Sequence, residues 1–229
     1  AQLKQVADRC GFQLGILRDE RRPLFADSYR ELASRVRPKA SRGAFVKGPR
    51  AKLSKPVGVI LAGTAGERVQ TAALLLGQAA MQAGLHVTLK SDNPVTQGTG
   101  FSVSEVILSE QEILFTGIEQ PDVILAVSTD GVKELERNSV FDRVQSETLV
   151  LADASLALPE LSCRVLRGHL RETAGANLAA LAGVARWLET SRLLPLEAFW
   201  AAVEDRFGAE ASSVKNKLSP NAGTVPVST

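Results

Sequence analysis

A short apolar run at residues 57–61 breaks off at Gly63-Thr64-Ala65-Gly66, and a long small-residue segment follows at once. That order requires a strand to turn sharply into a helix. The first amides of such a helix have no partner inside it, so they aim at whatever lies above the sheet and make the turn a ready seat for an anion. Two readings of the turn stand side by side. In one, a phosphate or pyrophosphate rests on the backbone of Gly63, Thr64, Ala65 and Gly66, with Arg68 as a clamp. In the other, the turn is a tight connection that holds nothing. The dinucleotide fingerprint G-x-G-x-x-G is not met, because the glycines are spaced G-x-x-G and position 68 is arginine.

The rest of the chain alternates in a way that points to an α/β fold. A helix is expected over residues 67–83, with Gly84 placed to end it and Ala or Leu on every turn. Strands follow at 85–89, 123–127 and 148–152. Residues 101–108 and 113–115 read as a hairpin joined by Ser109-Glu110-Gln111-Glu112. The strand signal stops after Leu156. Helices are expected at 172–190 and 195–207, the latter with Leu196, Phe199, Trp200, Val203 and Phe207 spaced by three or four. The expected architecture is therefore a mostly parallel core sheet, an antiparallel hairpin at one edge, and C-terminal helices.

Four stretches divide the chain. Residues 1–34 form an N-terminal arm with the apolar phrase Phe12-Gln13-Leu14-Gly15-Ile16-Leu17, too little to fold alone and expected to dock on a partner. Residues 35–56 are a basic linker, with eight Lys or Arg, no acid, and Pro and Gly punctuation. Residues 57–207 form the body. From Gly208 onward Ser, Asn, Pro and Thr without periodicity suggest a flexible tail, residues 208–229.

Composition narrows the function. A net charge of +2 is too small to call for a nucleic-acid partner. Cys10 and Cys163 are too far apart for C-x-x-C chemistry and read as reduced thiols of a cytoplasmic protein. Two Cys and two His cannot assemble an iron–sulfur or zinc ligand set. No stretch approaches the roughly 18 apolar residues of a membrane span. His86 lies in an apolar strand, and His169 has no acid or nucleophile adjacent in sequence, so neither suggests a triad. Trp187, Phe199 and Trp200 sit at helical spacing and read as core or interface anchors.

The order of elements resembles the gamma subunit of the 2-oxoacid:ferredoxin oxidoreductases. Their turn reads G-x-G-G-Q-G; here it is Gly63-Thr64-Ala65-Gly66-Glu67-Arg68, so two of the four glycines survive. Where the family carries an R-G-G loop, this chain has Asn93-Pro94-Val95-Thr96-Gln97-Gly98-Thr99-Gly100, with Gln97 for the arginine and Thr99 for one glycine. The stretch Val106-Ile107-Leu108-Ser109-Glu110-Gln111-Glu112-Ile113 lies where the family has "R-I-S-D-x-P-I". Pro121-Asp122-Val123 fits the family's P-D-V phrase, and the helix Asn177-Leu178-Ala179-Ala180-Leu181-Ala182-Gly183 fits its N-x-x-x-L-G phrase loosely. The arm faintly resembles the tail of the family's thiamine-diphosphate-binding subunit, which suggests the end of a fused beta–gamma protein.

The resemblance implies an assembly that oxidatively decarboxylates a 2-oxoacid on thiamine diphosphate, passes electrons through iron–sulfur clusters and forms an acyl-CoA. It implies alpha and beta subunits that bind thiamine diphosphate with Mg, and a ferredoxin-like subunit. This chain has no G-D-G motif, no cluster ligands and no assignable catalytic residue. Its expected role is architectural, with no cofactor of its own and a share in positioning coenzyme A through Gly63, Thr64, Ala65, Gly66, Arg68, Asn93, Gln97 and Gly98. Two alternatives stay open. One is a non-catalytic scaffold that kept the fold and lost the site. The other is a nucleotide-binding Rossmann-like domain, in which Asp92 would hold a ribose hydroxyl. The departures at Ala65, Arg68, Gln97 and Thr99 favour the scaffold over the nucleotide domain.

Overall fold

The computed structural model describes residues 51–92 and 100–218. Strand β1 (Val57–Thr64) is apolar on both faces: Val59 and Leu61 enter one core, Ile60 and Ala62 another. Successive side chains of a strand point to opposite faces, so such a strand must be covered on both sides. The remaining strands are β2 (His86–Asp92), β3 (Phe101–Ser109), β4 (Val123–Ala126), β5 (Leu149–Asp153) and β6 (Arg164–Gly168). Their order in the sheet is β2-β3-β1-β4-β5-β6. β1, β4, β5 and β6 are parallel neighbours, while β3 runs antiparallel to both β1 and β2. The expected pairing of the first strand with that at 123–127 is present, with Val59 opposite Val123.

The first face is covered by α1 (Val69–Gln82), α4 (Ala179–Ser191), α5 (Leu196–Phe207) and α6 (Ala211–Leu218). Small residues Ala72, Ala73, Gly77, Ala79 and Ala80 let α1 lie close on the sheet. It closes with a Schellman pair, Leu85 N donating to Ala80 O and Gly84 N to Met81 O. The second face carries α2 (Thr129–Arg137) and a 3-10 turn at Phe141–Arg143, with Val132, Leu135 and Phe141 on Ile60, Ile107 and Ile124. Asp122 clamps the N-terminal ends of β1 and β4. Its Oδ2 accepts the Gly58 amide at 2.8 Å, and its Oδ1 lies 2.7 Å from Lys55 Nζ. The hydrogen bond that Lys55 donates to Asp122 raises the pKa of that ammonium above the ordinary lysine range.

Several elements differ from the sequence reading. The edge hairpin is β2 with β3, not residues 101–108 with 113–115. Both edges of β3 are taken, by β1 and β2, so 113–115 has no strand to pair with and forms part of a loop. The strand β6 lies beyond Leu156, where Arg164 and Arg167 give the sequence the look of a loop; it is an edge strand, where such charges are at home. The helix expected at 172–190 is broken at Gly175 (φ 78°, ψ 157°) into α3 (Leu170–Ala174), a 3-10 turn (Ala176–Leu178) and α4. The start of the expected flexible tail is instead α6, with Ala211, Val214 and Leu218 buried. The arm, most of the basic linker and residues 219–229 lie outside the described residues. Of the linker, Ala51 and Leu53 pack on the first-face core.

Candidate functional site

Helix α1 leaves β1 for the first face, and α2 leaves β4 for the second. The carboxyl ends of these two parallel neighbours therefore form a topological switch point, the usual place for a ligand in an open α/β sheet. The turn 63–67 and the start of α2 lie there. Gly131 lies so close to β1 that a Cβ there would sit 2.6 Å from Ala62 C and Gly63 N. A Cβ on Gly63 would in turn meet Val127 and Val69, each at 2.8 Å. Both glycines are fixed by this close approach. Ser128 caps α2, its Oγ accepting Gly131 N at 3.3 Å. Thr64 Oγ1 lies 2.9 Å from Ser128 Oγ and 3.1 Å from Asp130 Oδ2, joining the turn to the cap.

The turn already holds a carboxylate from the chain itself. Glu67, 7% exposed, folds back so that its Oε2 accepts the Thr64 amide at 2.9 Å. The Ala65 amide donates to Gly100 O at 2.8 Å, and the Glu67 amide to Thr64 O at 3.1 Å. The other carboxylate oxygen of Glu67 pairs with Arg171 Nη1. That nitrogen also donates to Val127 O at 3.0 Å, at the end of β4. The Arg171 amide donates to Asp153 Oδ2 at 2.7 Å, at the end of β5. A chain of charged and polar groups thus ties three strand ends to α3.

Of the residues expected at the site, Gly63, Thr64, Ala65 and Gly66 come together in the turn. Gly66 is exposed with φ 94°. Arg68 is not within the helix, since it takes a left-handed conformation (φ 58°) and α1 begins at Val69. Its guanidinium lies over the Phe207 ring, 5.2 Å from the centroid, in a cation–π contact. It also borders a groove of about 470 Å³ shared with Asn177, Glu210, Ser213 and Lys217. Asn93, Gln97 and Gly98 lie outside the described residues. Asp92 ends β2, which β3 separates from β1, so it is not beside the turn as a ribose-binding acid would be. His86 is exposed, and His169 Nδ1 pairs with Glu172 Oε2 at 2.9 Å on the surface. Burial pushes the Cys163 thiol above its ordinary pKa. Among the described residues no three His, Cys, Asp or Glu side chains group as metal ligands, and no helix is long and apolar enough to cross a membrane.

The pyruvate ferredoxin/flavodoxin oxidoreductase family model matches residues 58–223. The chain belongs to this family. A 105-residue stretch is 30% identical to the 2-oxoglutarate synthase subunit KorC of Archaeoglobus fulgidus. The match covers 45% of this chain and about half, 53%, of that relative. Among solved structures, the gamma subunit of a keto/oxoacid ferredoxin oxidoreductase from Geobacter sulfurreducens superposes with a TM-score of 0.60 at 19% identity, over 71% of this chain and 92% of that one. Pyruvate oxidoreductase subunit PORC from Thermotoga maritima gives 0.57 at 16% identity, over 72% and 92%. A 2-oxoglutarate:ferredoxin oxidoreductase from Magnetococcus marinus, with 2-oxoglutarate, coenzyme A and succinyl-CoA bound, gives 0.61 at 18% identity. That match covers 72% of this chain and 29% of the longer one. At these identities the superpositions establish the shared fold. The family assignment agrees with the resemblance carried by the turn, the P-D-V strand and the order of elements.

Glu67, Arg171 and Asp153 were not legible as site residues in the sequence. Arg171 stands 104 positions from its partner, and nothing local marks it. The cap of α2 did leave a signal, Ser128-Thr129-Asp130 directly after an apolar strand.

Proposed function

We propose that this chain is the gamma-type subunit of a 2-oxoacid:acceptor oxidoreductase that works in the cytoplasm, and that its own role there is architectural. The observation that carries the reading is the family match across residues 58–223, which spans nearly all of the α/β body. In this reading the reaction is the oxidative decarboxylation of a 2-oxoacid to an acyl-CoA. Thiamine-diphosphate-binding alpha and beta subunits with Mg, and a ferredoxin-like subunit with iron–sulfur clusters, supply the redox and carbanion chemistry.

The contacts within the turn count against coenzyme A as its ligand. A phosphate at 63–67 would need amides that Thr64 and Ala65 give to Glu67 and Gly100, and it would meet the buried Glu67 carboxylate. Like charges at that distance repel, and the local cation, Arg171, is already engaged. Within the gamma-type role this favours the scaffold over a direct share in holding the coenzyme. Among the described residues, Arg68 and Lys217 beside the groove are cations outside the turn that a phosphate could use.

Native mass spectrometry of the natively isolated protein tests the assembly. Larger subunits carrying thiamine diphosphate, iron and sulfide are expected with it, and isolation with unrelated proteins alone would contradict the proposal. In the same assembly Arg68→Ala is expected to leave the apparent coenzyme A affinity unchanged. A ten- to hundredfold loss, the size of a lost Arg–phosphate contact of roughly 1.5–3 kcal/mol, would restore the coenzyme-positioning role.

A further inference from the structure

We infer that the loop joining β3 to β4 is a docking element for a different polypeptide of the assembly, one offering an apolar notch rimmed by lysine or arginine. The inference rests on the gamma-type reading above. At the loop's tip Leu114 is 90% and Phe115 67% exposed, adjacent in sequence. Among the described residues, the other exposed large apolar side chains, Leu74, Met81 and Leu89, are scattered and at most 48% exposed. Single exposed side chains are ordinary, but an adjacent Leu-Phe pair thrown outward makes a contiguous apolar patch of the kind that marks an interaction site.

The tip is displayed from a fixed base. Ile113 packs on the second-face core and Ile118 is buried in it. Ile118 O accepts Arg143 Nη1 at 2.6 Å, and the Gln111 amide donates to Ser109 Oγ at 3.0 Å. On the near side Glu110 Oε1 accepts the Leu53 amide. The Phe115 ring lies over Gly117, where a Cβ would come within 2.7 Å of it. Little ordering is left to do on binding, so more of the buried area counts toward affinity.

Charge identifies the occupant. Between positions 110 and 122 the loop carries Glu110, Glu112, Glu119 and Asp122 and no basic residue. Asp122 is engaged with Lys55, which leaves the glutamates on the rim. A second copy meeting this loop about a two-fold axis would set acid against acid, whereas a cationic rim is attracted. The loop leaves from the end of β3 beside Val57, opposite the turn at the far end of β1, so docking here leaves the switch point uncovered. In the Magnetococcus marinus protein the matching fold is 29% of a longer chain, so there it is joined to further polypeptide.

The test titrates the purified full-length chain against the remaining subunits of the oxidoreductase assembly, co-produced without it. Leu114→Ser with Phe115→Ser is expected to weaken binding about a hundredfold, the equivalent of about 2.8 kcal/mol, with far-UV circular dichroism and thermal unfolding unchanged. Glu112→Lys with Glu119→Lys is expected to slow association about tenfold at low salt, with the difference closing at high salt. Affinity of the Leu114/Phe115 variant within about threefold of the native chain, or about 0.7 kcal/mol, overturns the inference and leaves the gamma-type reading standing. It is also overturned if those substitutions abolish self-association of this chain while binding to the other subunits persists. If the native chain does not bind those subunits at all, the gamma-type reading fails first.

Discussion

Replacing Arg171 by methionine keeps most of its apolar stem and removes the cation that faces Glu67. Glu67 would then be a carboxylate, 7% exposed, left with the Thr64 amide as its remaining hydrogen bond in the turn. Breaking a buried pair by deleting one partner costs roughly 3–5 kcal/mol. The Arg171 side chain is 34% exposed, so water already screens part of this interaction. The expected loss is therefore at the lower end, about 2–3 kcal/mol. For a chain of this size that lowers the thermal midpoint by roughly 4–12 °C. Glu67→Gln can still accept the Thr64 amide but no longer carries charge, so it should cost less. In the double variant the orphaned charge is gone, and the two losses should fall short of additivity by about 1–3 kcal/mol. Thermal unfolding of the full chain and its three variants gives the whole cycle. A shift for Arg171→Met below about 1 °C, well under what 1 kcal/mol produces, or an additive cycle, would refute the claim that this pair holds the turn closed.

Other consequences follow from single contacts. Gly131→Ala places a methyl 2.6 Å from β1 main-chain atoms that cannot yield, and should cost about 3 kcal/mol or more in denaturant unfolding. A loss under about 1 kcal/mol would mean that α2 can shift. Asp122→Ala strips the Gly58 amide and Lys55 of their partner and should cost roughly 1–3 kcal/mol, whereas Asp122→Asn should cost less because its carbonyl can still take the amide. The raised pKa of Lys55 makes its contribution complete below the ordinary lysine range and lost as pH rises through the higher folded value, so any alkaline loss from this pair should vanish in Asp122→Asn. Burial lifts the Cys163 thiol, which lowers its thiolate fraction, so alkylation at pH 8 should run slower than in the unfolded chain; equal rates would contradict the burial.

Much of the fold was legible because its signals are local. The apolar run of β1, the small-residue face of α1 and the turn chemistry of Gly63 and Gly66 each act within a few residues. The hairpin was misplaced because strand partners are chosen by the sheet, and β2 with β1 had already claimed both edges of β3. Ala211, Val214 and Leu218 do carry a helical spacing, but Ser, Asn and Lys around them masked it; burial against the first-face core decides the matter. The sharp turn was legible, with an anion seat and a bare connection both left open. What the sequence could not reveal is that Glu67 folds back into it, since that depends on Arg171 arriving from α3 at the end of β5.

The most direct test of the account is reconstitution with a readout of 2-oxoacid-dependent acceptor reduction. The full chain alone, the remaining subunits alone and the recombined assembly are assayed with the same 2-oxoacid, coenzyme A and ferredoxin. The account predicts no turnover by the chain alone, and full activity on recombination that survives Arg68→Ala. Turnover by the isolated chain, or an assembly whose activity is the same with or without it, would contradict the account.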